Sequence, residues 1–308
     1  MVGRLMRIIV TGASGFIGRA ACASLAARGH AVQGVVRPGR ERAGDLAADL
    51  ESPGEFQKIV KFRPQAVAHL AAALPLSFDG PSADKAAQAN RRMDAEVLNA
   101  CAVWGIPLVY ASSTSVYGFT RGEMIDEERK LAPIGPYAAA KAAGEQLGRE
   151  LLDDRGIPFT ALRINAPYGP GQRLKTVVWH FLDAALSGLP LQYHGSGSRQ
   201  QDFTFVEDAG NAVACAVESR AGGSYTIAGG SPVTMRELAE RIARSVPGCR
   251  SMIEPSGSED PQEGVTARFS IARAAEGLGW RPLVSLDAGL RRCLESKKEA
   301  GDEARISS

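Results

Sequence analysis

Cysteine is scarce in this chain and poorly placed for cross-linking. The five residues, Cys22, Cys101, Cys215, Cys249 and Cys293, are odd in number, far apart and form no Cys-x-x-Cys pair. That argues against a disulfide framework or a zinc site and fits reduced thiols in a cytoplasm. Histidine is scarcer still. His30, His69, His180 and His194 stand isolated, so no metal is expected, and no Ser/His/Asp hydrolase motif appears. No apolar run approaches the roughly 20 residues that a membrane helix needs. The first one, at 7–11, is short and lacks the surroundings of a cleavable signal. Nor does charge of one sign dominate. Lys and Arg total 36 against 34 for Asp and Glu, a net +2, and the cations are scattered without interleaved aromatics. A nucleic-acid or anionic-membrane partner is therefore not expected. What remains, at 308 residues with 44% hydrophobic and 23% charged residues, reads as an ordinary soluble globular chain of one large or two coupled domains.

Two local patterns stand out. The run RIIVTGASGFIG (7–18) is a short apolar strand followed by Gly-x-x-Gly-x-x-Gly and a helical period. Gly12 permits the tight turn, Gly15 lets backbone approach a pyrophosphate, and Gly18 lets the helix pack on its strand. Ser14, Phe16 and Ile17 complete the loop and the helix start, whose amides and dipole suit phosphate. The second pattern is PYAAAK (136–141), with Tyr137 and Lys141 a single helical turn apart. An ammonium that close stabilises a phenolate, and a phenol so tuned can carry a proton to or from a substrate oxygen. The unremarkable alternative is two solvated helix residues; the glycine motif in its strand–helix setting weighs against it.

Around these patterns, apolar runs at 7–11, 31–36, 66–71, 107–111 and 159–163 alternate with helical periods near 16–28, 54–62, 83–104 and 138–155. Such alternation predicts an α/β fold, a doubly wound parallel sheet of Rossmann type. After Gly169 the pattern breaks into shorter pieces punctuated by Pro and Gly. The expected organisation is a dinucleotide-binding domain over 1–165 plus about 203–220, and a smaller substrate-binding lobe over 166–202 and 221–295. The segment 203–219 is expected to return to the first domain as a strand and a helix. Residues 296–308 should form a polar, frayed tail.

The motifs TGASGFIG (11–18), HLAA (69–72), Asn90, YASSTSVYG (110–118), PYAAAK (136–141), LRINAPYGPG (162–171) and DFTFVEDAGNA (202–212) resemble, in order and spacing, the extended short-chain dehydrogenase/reductases. The resemblance spans roughly 6–295 and points to the branch of NAD-dependent epimerase/dehydratases, which act mostly on nucleotide sugars. It implies that Ser113, with Thr114 as the neighbour easily confused with it, holds the reacting oxygen. Tyr137 would be the general acid/base, and Lys141 would tune it and hold the nicotinamide ribose. It further implies that Asp49 and Leu50 flank adenine and that Leu70, Ala71 and Ala72 line the cofactor. Asn90 would position the cofactor region, its alternative being a helix N-cap. His69 reads as structural, Arg163 likewise, and Asp49 as a surface acid if not a ligand.

The second strand ends in Val36-Arg37 where NAD-binding units carry a carboxylate for the ribose 2′-hydroxyl. An arginine there suits a 2′-phosphate, so NADP(H) is favoured over NAD(H). The alternative is that Arg37 stacks on adenine or points to solvent. The sugar 4,6-dehydratases carry an Asp-Glu pair where this chain has Thr114-Ser115, so dehydration is not expected. The lobe also departs from the nucleotide-sugar pattern. Ala166 stands where an asparagine is usual, with Asn165 one place early. Gln201 replaces an arginine, with Arg199 two residues before it as a substitute.

Three functions follow. The first is a ketone/secondary-alcohol oxidoreductase on a small molecule, with a nucleotide-sugar ketoreductase included. The second is a nucleotide-sugar C4-type epimerase holding NAD. The third is a non-catalytic cofactor-binding protein, which the intact Tyr/Lys pair disfavours. A homodimer through helices 83–104 and 137–155 is the family expectation, although their alanine-rich faces equally suit packing within one chain.

Overall fold

The structure, a computed structural model, describes residues 5–75 and 80–306; residues 1–4 and 76–79 of the expected first domain and the last two residues of the expected tail lie outside it. Six strands open the fold: β1 (Arg7–Thr11), β2 (Ala31–Val36), β3 (Leu46–Ala47), β4 (Ala66–His69), β5 (Leu108–Ser113) and β6 (Phe159–Ile164). With Gly223–Ile227 they form one seven-stranded sheet, in the order 223–227, β6, β5, β4, β1, β2, β3. Every pairing in it is parallel. A parallel sheet buried on both faces needs continuous apolar strands, and Ile8, Ile9 and Val10 have no exposure at all.

Their alternation divides the core. Ile8 and Val10 face a cluster with Leu25, Val213 and Trp280, beneath α1 (Phe16–Ala27). Ile9 faces the opposite cluster, with Met93, Val97, Tyr110 and Phe159. That side is covered by α2 (Pro81–Trp104) and α3 (Pro136–Leu151). A third cluster is built on α4 (Val177–Leu186), α6 (Met235–Ser245) and α8 (Leu286–Ile306), within the span expected to form a smaller lobe. Between them in sequence lie α5 (Val206–Ser219), against α1, and the short α7 (Ala272–Gly277).

Four expectations are corrected. The helix of segment 203–219 does pack on the sheet domain, where a side chain at Gly210 would collide with Ala20. Its strand does not enter the main sheet, because Thr204-Phe205 pairs with Pro167-Tyr168 instead. The outer strand is Gly223–Ile227, which the sequence groups with the lobe. It supplies five consecutive partners to β6 and buries Tyr225 and Ile227. The 54–62 period becomes a 3₁₀ segment, Phe56–Phe62. The polar tail is helical through Ile306. Within it Lys297 pairs with Asp183 of α4 and lies 5.6 Å over the Trp179 ring, which anchors that helix to the lobe.

Candidate active site

The cofactor side is shaped by backbone contact. At φ +67° Gly12 turns the chain, and a Cβ there would stand 2.7 Å from the Ala71 nitrogen. The glycine loop and the segment after β4 therefore touch main chain to main chain. Gly15 is the N-cap of α1, and no side chain caps that helix. Its first amides are thus left to a ligand, which is the geometry a pyrophosphate needs. A cradle that any side chain would fill fits a dinucleotide. Ser14, Phe16 and Ile17 are half-buried around it, as are Leu70 and Ala71, while Ala72 is exposed.

Beyond the cradle, Val36 is buried and Arg37 is exposed at the end of β2. Leu50 is buried, and Asp49 beside it is exposed. The Asp49 carboxylate accepts from the Glu51 amide at 3.2 Å and the Ser52 hydroxyl at 2.8 Å, an Asx turn. Asn90 does not take the alternative role of helix N-cap. It lies well inside α2, not at its start, and is wholly buried. Its amide accepts from Ala73 N at 2.7 Å and donates to Ala73 O at 3.0 Å, and so holds the 71–75 segment against the helix.

The catalytic candidates meet at two element ends. Ser113 closes β5 and N-caps a 3₁₀ turn, Thr114–Tyr117. Its oxygen accepts from the Ser115 amide at 3.1 Å and from the Ser115 hydroxyl at 2.9 Å, which leaves its own hydrogen to donate outward. Tyr137 and Lys141 occupy the first turns of α3, started by Pro136 behind Gly135. Lys141 is 2% exposed, and its Nζ lies 4.6 Å over the Tyr110 ring. Burial pulls the ammonium below its usual value, opposed by Asp94 and Glu145. The phenol does not follow the expectation of a lowered pKa. Burial, and then the Asp94 carboxylate, push Tyr137 up to about 12. At neutral pH it holds its proton.

Behind this pair stands a polar network that sequence reading missed. Thr11 Oγ accepts from the Leu70 and Ala71 amides, both at 3.2 Å, so its own hydrogen is left for His69 Nδ1 at 2.7 Å. His69 Nε2 then donates to Asp94 Oδ1 at 3.0 Å, and Tyr110 donates to Asp94 Oδ2 at 2.7 Å. A signal for Asp94 existed: it shares the buried α2 stripe of Asn90, Val97 and Cys101, where a charge must have partners. Glu145, one turn after Lys141, was missed likewise. It receives Arg163 through Nε at 3.0 Å and Nη2 at 2.7 Å, and Ser112 at 2.6 Å. Arg163 is thus structural, as expected.

The substrate candidates are largely engaged within the fold. Thr114 is buried and donates to Asn165 Oδ1 at 2.8 Å, and Asn165, 3% exposed, donates to the Asp202 carbonyl at 2.7 Å. Arg199 donates to Asp260 at 2.8 Å and Gln262 at 2.9 Å. Ala166, at the expected asparagine position, has φ +32°. Tyr168 is buried against Phe203 and Phe205. Among the described residues no cluster of His, Cys, Asp or Glu could hold a metal ion, and no helix is long and apolar enough to cross a membrane.

The fold and the glycine cradle define a Rossmann dinucleotide-binding protein. Comparison with known proteins narrows the class. The profile of the NAD dependent epimerase/dehydratase family matches residues 8–228. A UDP-glucose 4-epimerase of Mycolicibacterium smegmatis is 31% identical, covering 94% of this chain and 98% of its own. A 2-alkyl-3-oxoalkanoate reductase of Stenotrophomonas maltophilia is 30% identical, covering 93% and 98%. Among solved structures, the Thermus thermophilus UDP-glucose 4-epimerase complex with NAD has a TM-score of 0.84 and 27% identity, over 96% of this chain and all of that one. The chain belongs to the NAD-dependent epimerase/dehydratase family, and it is an oxidoreductase-type enzyme of the extended short-chain dehydrogenase/reductases.

Proposed function

We propose that the chain interconverts a ketone and a secondary alcohol with a nicotinamide cofactor, NADP(H) in preference to NAD(H). The observation that carries this reading is the set of Ser113, Tyr137 and Lys141 at the carboxyl end of β5 and the start of α3. When bound, nicotinamide supplies the hydride or accepts it. Ser113 donates to the substrate oxygen and holds it for Tyr137. Tyr137, protonated at neutral pH, gives its proton to that oxygen in reduction and takes one back in oxidation. Lys141 holds ribose hydroxyls. Gly12, Gly15, Gly18 and the α1 amides hold the pyrophosphate; Asp49, Leu50, Leu70, Ala71 and Ala72 line the cofactor, and Asn90 keeps its wall in place.

Two features support the cofactor choice. At the β2 end exposed Arg37 follows buried Val36, and a guanidinium there suits a 2′-phosphate. The reductase relative covers 93% of this chain, so reduction of a carbonyl compound is chemistry this scaffold accommodates. Thr114-Ser115 supply no acid–base pair for dehydration. Arg199, held by Asp260, is a poor diphosphate clamp, which favours a carbonyl substrate without one. A reduced cytoplasmic setting, read from five unpaired cysteines, and a homodimer through α2 and α3 complete the proposal.

The epimerase reading is favoured by the 31% identical relative and by the NAD in the Thermus structure. The test is to identify any nicotinamide that purifies with the protein and then to titrate NADPH and NADH separately. An empty protein preferring NADPH supports the reductase. Retained NAD, one per chain, would replace it with an epimerase.

A further inference from the structure

We propose that Asp94 is a positioning residue of this site: its buried carboxylate, fixed between His69, Tyr110 and the face of α3, sets the charge environment of Tyr137 and Lys141 and ties that helix to the cofactor cradle. The inference rests on Tyr137 being the acid/base of the proposed function.

The geometry is continuous. Tyr137, Lys141 and Gly144 lie on one face of α3, spaced by four and three residues. A Cβ at Gly144 would stand 2.8 Å from Asp94 Oδ2, so the carboxylate rests directly on that face. Along the axis Gly144 is only about 4.5 Å from Lys141. Only glycine leaves room for the carboxylate and for the Tyr110 hydroxyl that donates to it. From the other oxygen the chain of hydrogen bonds runs through His69 and Thr11 to the Leu70 and Ala71 amides, the segment packed against Gly12. Each polar side chain along it is at most 2% exposed, so no solvent screens the charge. Among the described residues, Asp94 from α2, Tyr110 from β5 and Glu145 from α3 itself face the Tyr137–Lys141 pair, with His69 of β4 behind Asp94. A carboxylate here favours the charged ammonium, against the burial that lowers Lys141, and favours the protonated phenol, alongside the burial that raises Tyr137.

The test separates charge from packing. Asp94→Asn keeps the shape, and His69 can accommodate the amide by exchanging tautomers. Tyr110→Phe keeps the Asp94 charge and removes a donor that tempers it. Phenolate formation is followed by ultraviolet absorbance from neutrality upward in nicotinamide-free protein. Subtracting the Tyr137→Phe counterpart of each protein isolates the Tyr137 signal. The expected result is that Tyr137 ionises about one pH unit lower in Asp94→Asn, and not lower, or later, in Tyr110→Phe. No shift in Asp94→Asn, or a fall in both variants, would overturn the inference. If Asp94→Asn does not fold, Tyr110→Phe decides alone, because earlier ionisation there contradicts the proposed role of the charge. Nicotinamide titration reads the proposed function independently: a protein binding neither cofactor fails that reading, whatever Asp94→Asn does to the phenol.

Discussion

Lys141 and Arg199, two cations that the sequence assigns to ligands, meet opposite fates in the fold. Lys141 is sunk over an aromatic ring, where Asp94 and Glu145 support its charge but no ion pair among the described residues engages it. Its donors remain available to a ribose. Arg199 is latched to Asp260 and Gln262, so two of its donors shape the lobe instead of awaiting a ligand. Lys141 is thus supported by groups that act from behind, whereas the candidate clamp Arg199 has become scaffold. A charge kept for a ligand is recognised by what supports it without neutralising it.

The largest expected effect tests the prepared side. Tyr137→Phe should lower turnover by roughly 10²–10⁴-fold with cofactor affinity retained. Steady-state rates beside a cofactor titration measure this, and near-normal turnover would break the contrast at its centre. Next comes the structural ion pair. Arg163→Met removes the main partner of buried Glu145, leaving it Arg149 at 3.4 Å and the Ser112 hydroxyl, and should cost about 3–5 kcal/mol by urea denaturation. A loss near that of a surface pair would mean that water reaches Glu145. Gly144→Ala drives a methyl into Tyr110 and Asp94, for an expected cost of about 1–3 kcal/mol and a measurable fall in Tm. Unchanged stability would show that the Asp94 seat yields. Of similar size, but confined to cofactor binding, is Arg37→Ala, which removes a charge-assisted contact of about 1.5–3 kcal/mol. NADPH should then bind at least about tenfold more weakly, with NADH little altered; equal loss of both cofactors would remove Arg37 from the 2′-phosphate assignment.

Much of the site could be read because its requirements are local. Gly12 and Gly18 follow from a turn and a close helix–strand approach, and Tyr137 and Lys141 from one helical turn. What could not be read shares a different cause. Asn90 has the residue type of a cap, but its partner, the Ala73 backbone, is reached only once the 71–75 segment folds over α2. Asp94 sits in an apolar stripe whose meaning depends on His69 and Tyr110, on two other strands. The strand 223–227 is too short and too polar at its start to outrank the longer segment before it, and only the open edge of β6 selects it.

By itself the sequence determined the parallel α/β architecture, the glycine cradle and the one-turn spacing of Tyr137 and Lys141, because strand and helix periods and backbone demands are set by residues a few positions apart. Tertiary structure decided the pKa of Tyr137, the idle or occupied state of each cation and the partner of every buried carboxylate. Those depend on burial and on charges brought together from distant positions, such as Glu145 with Arg163 and Arg199 with Asp260. In a low-dielectric interior such neighbours outweigh any intrinsic preference of the residue itself.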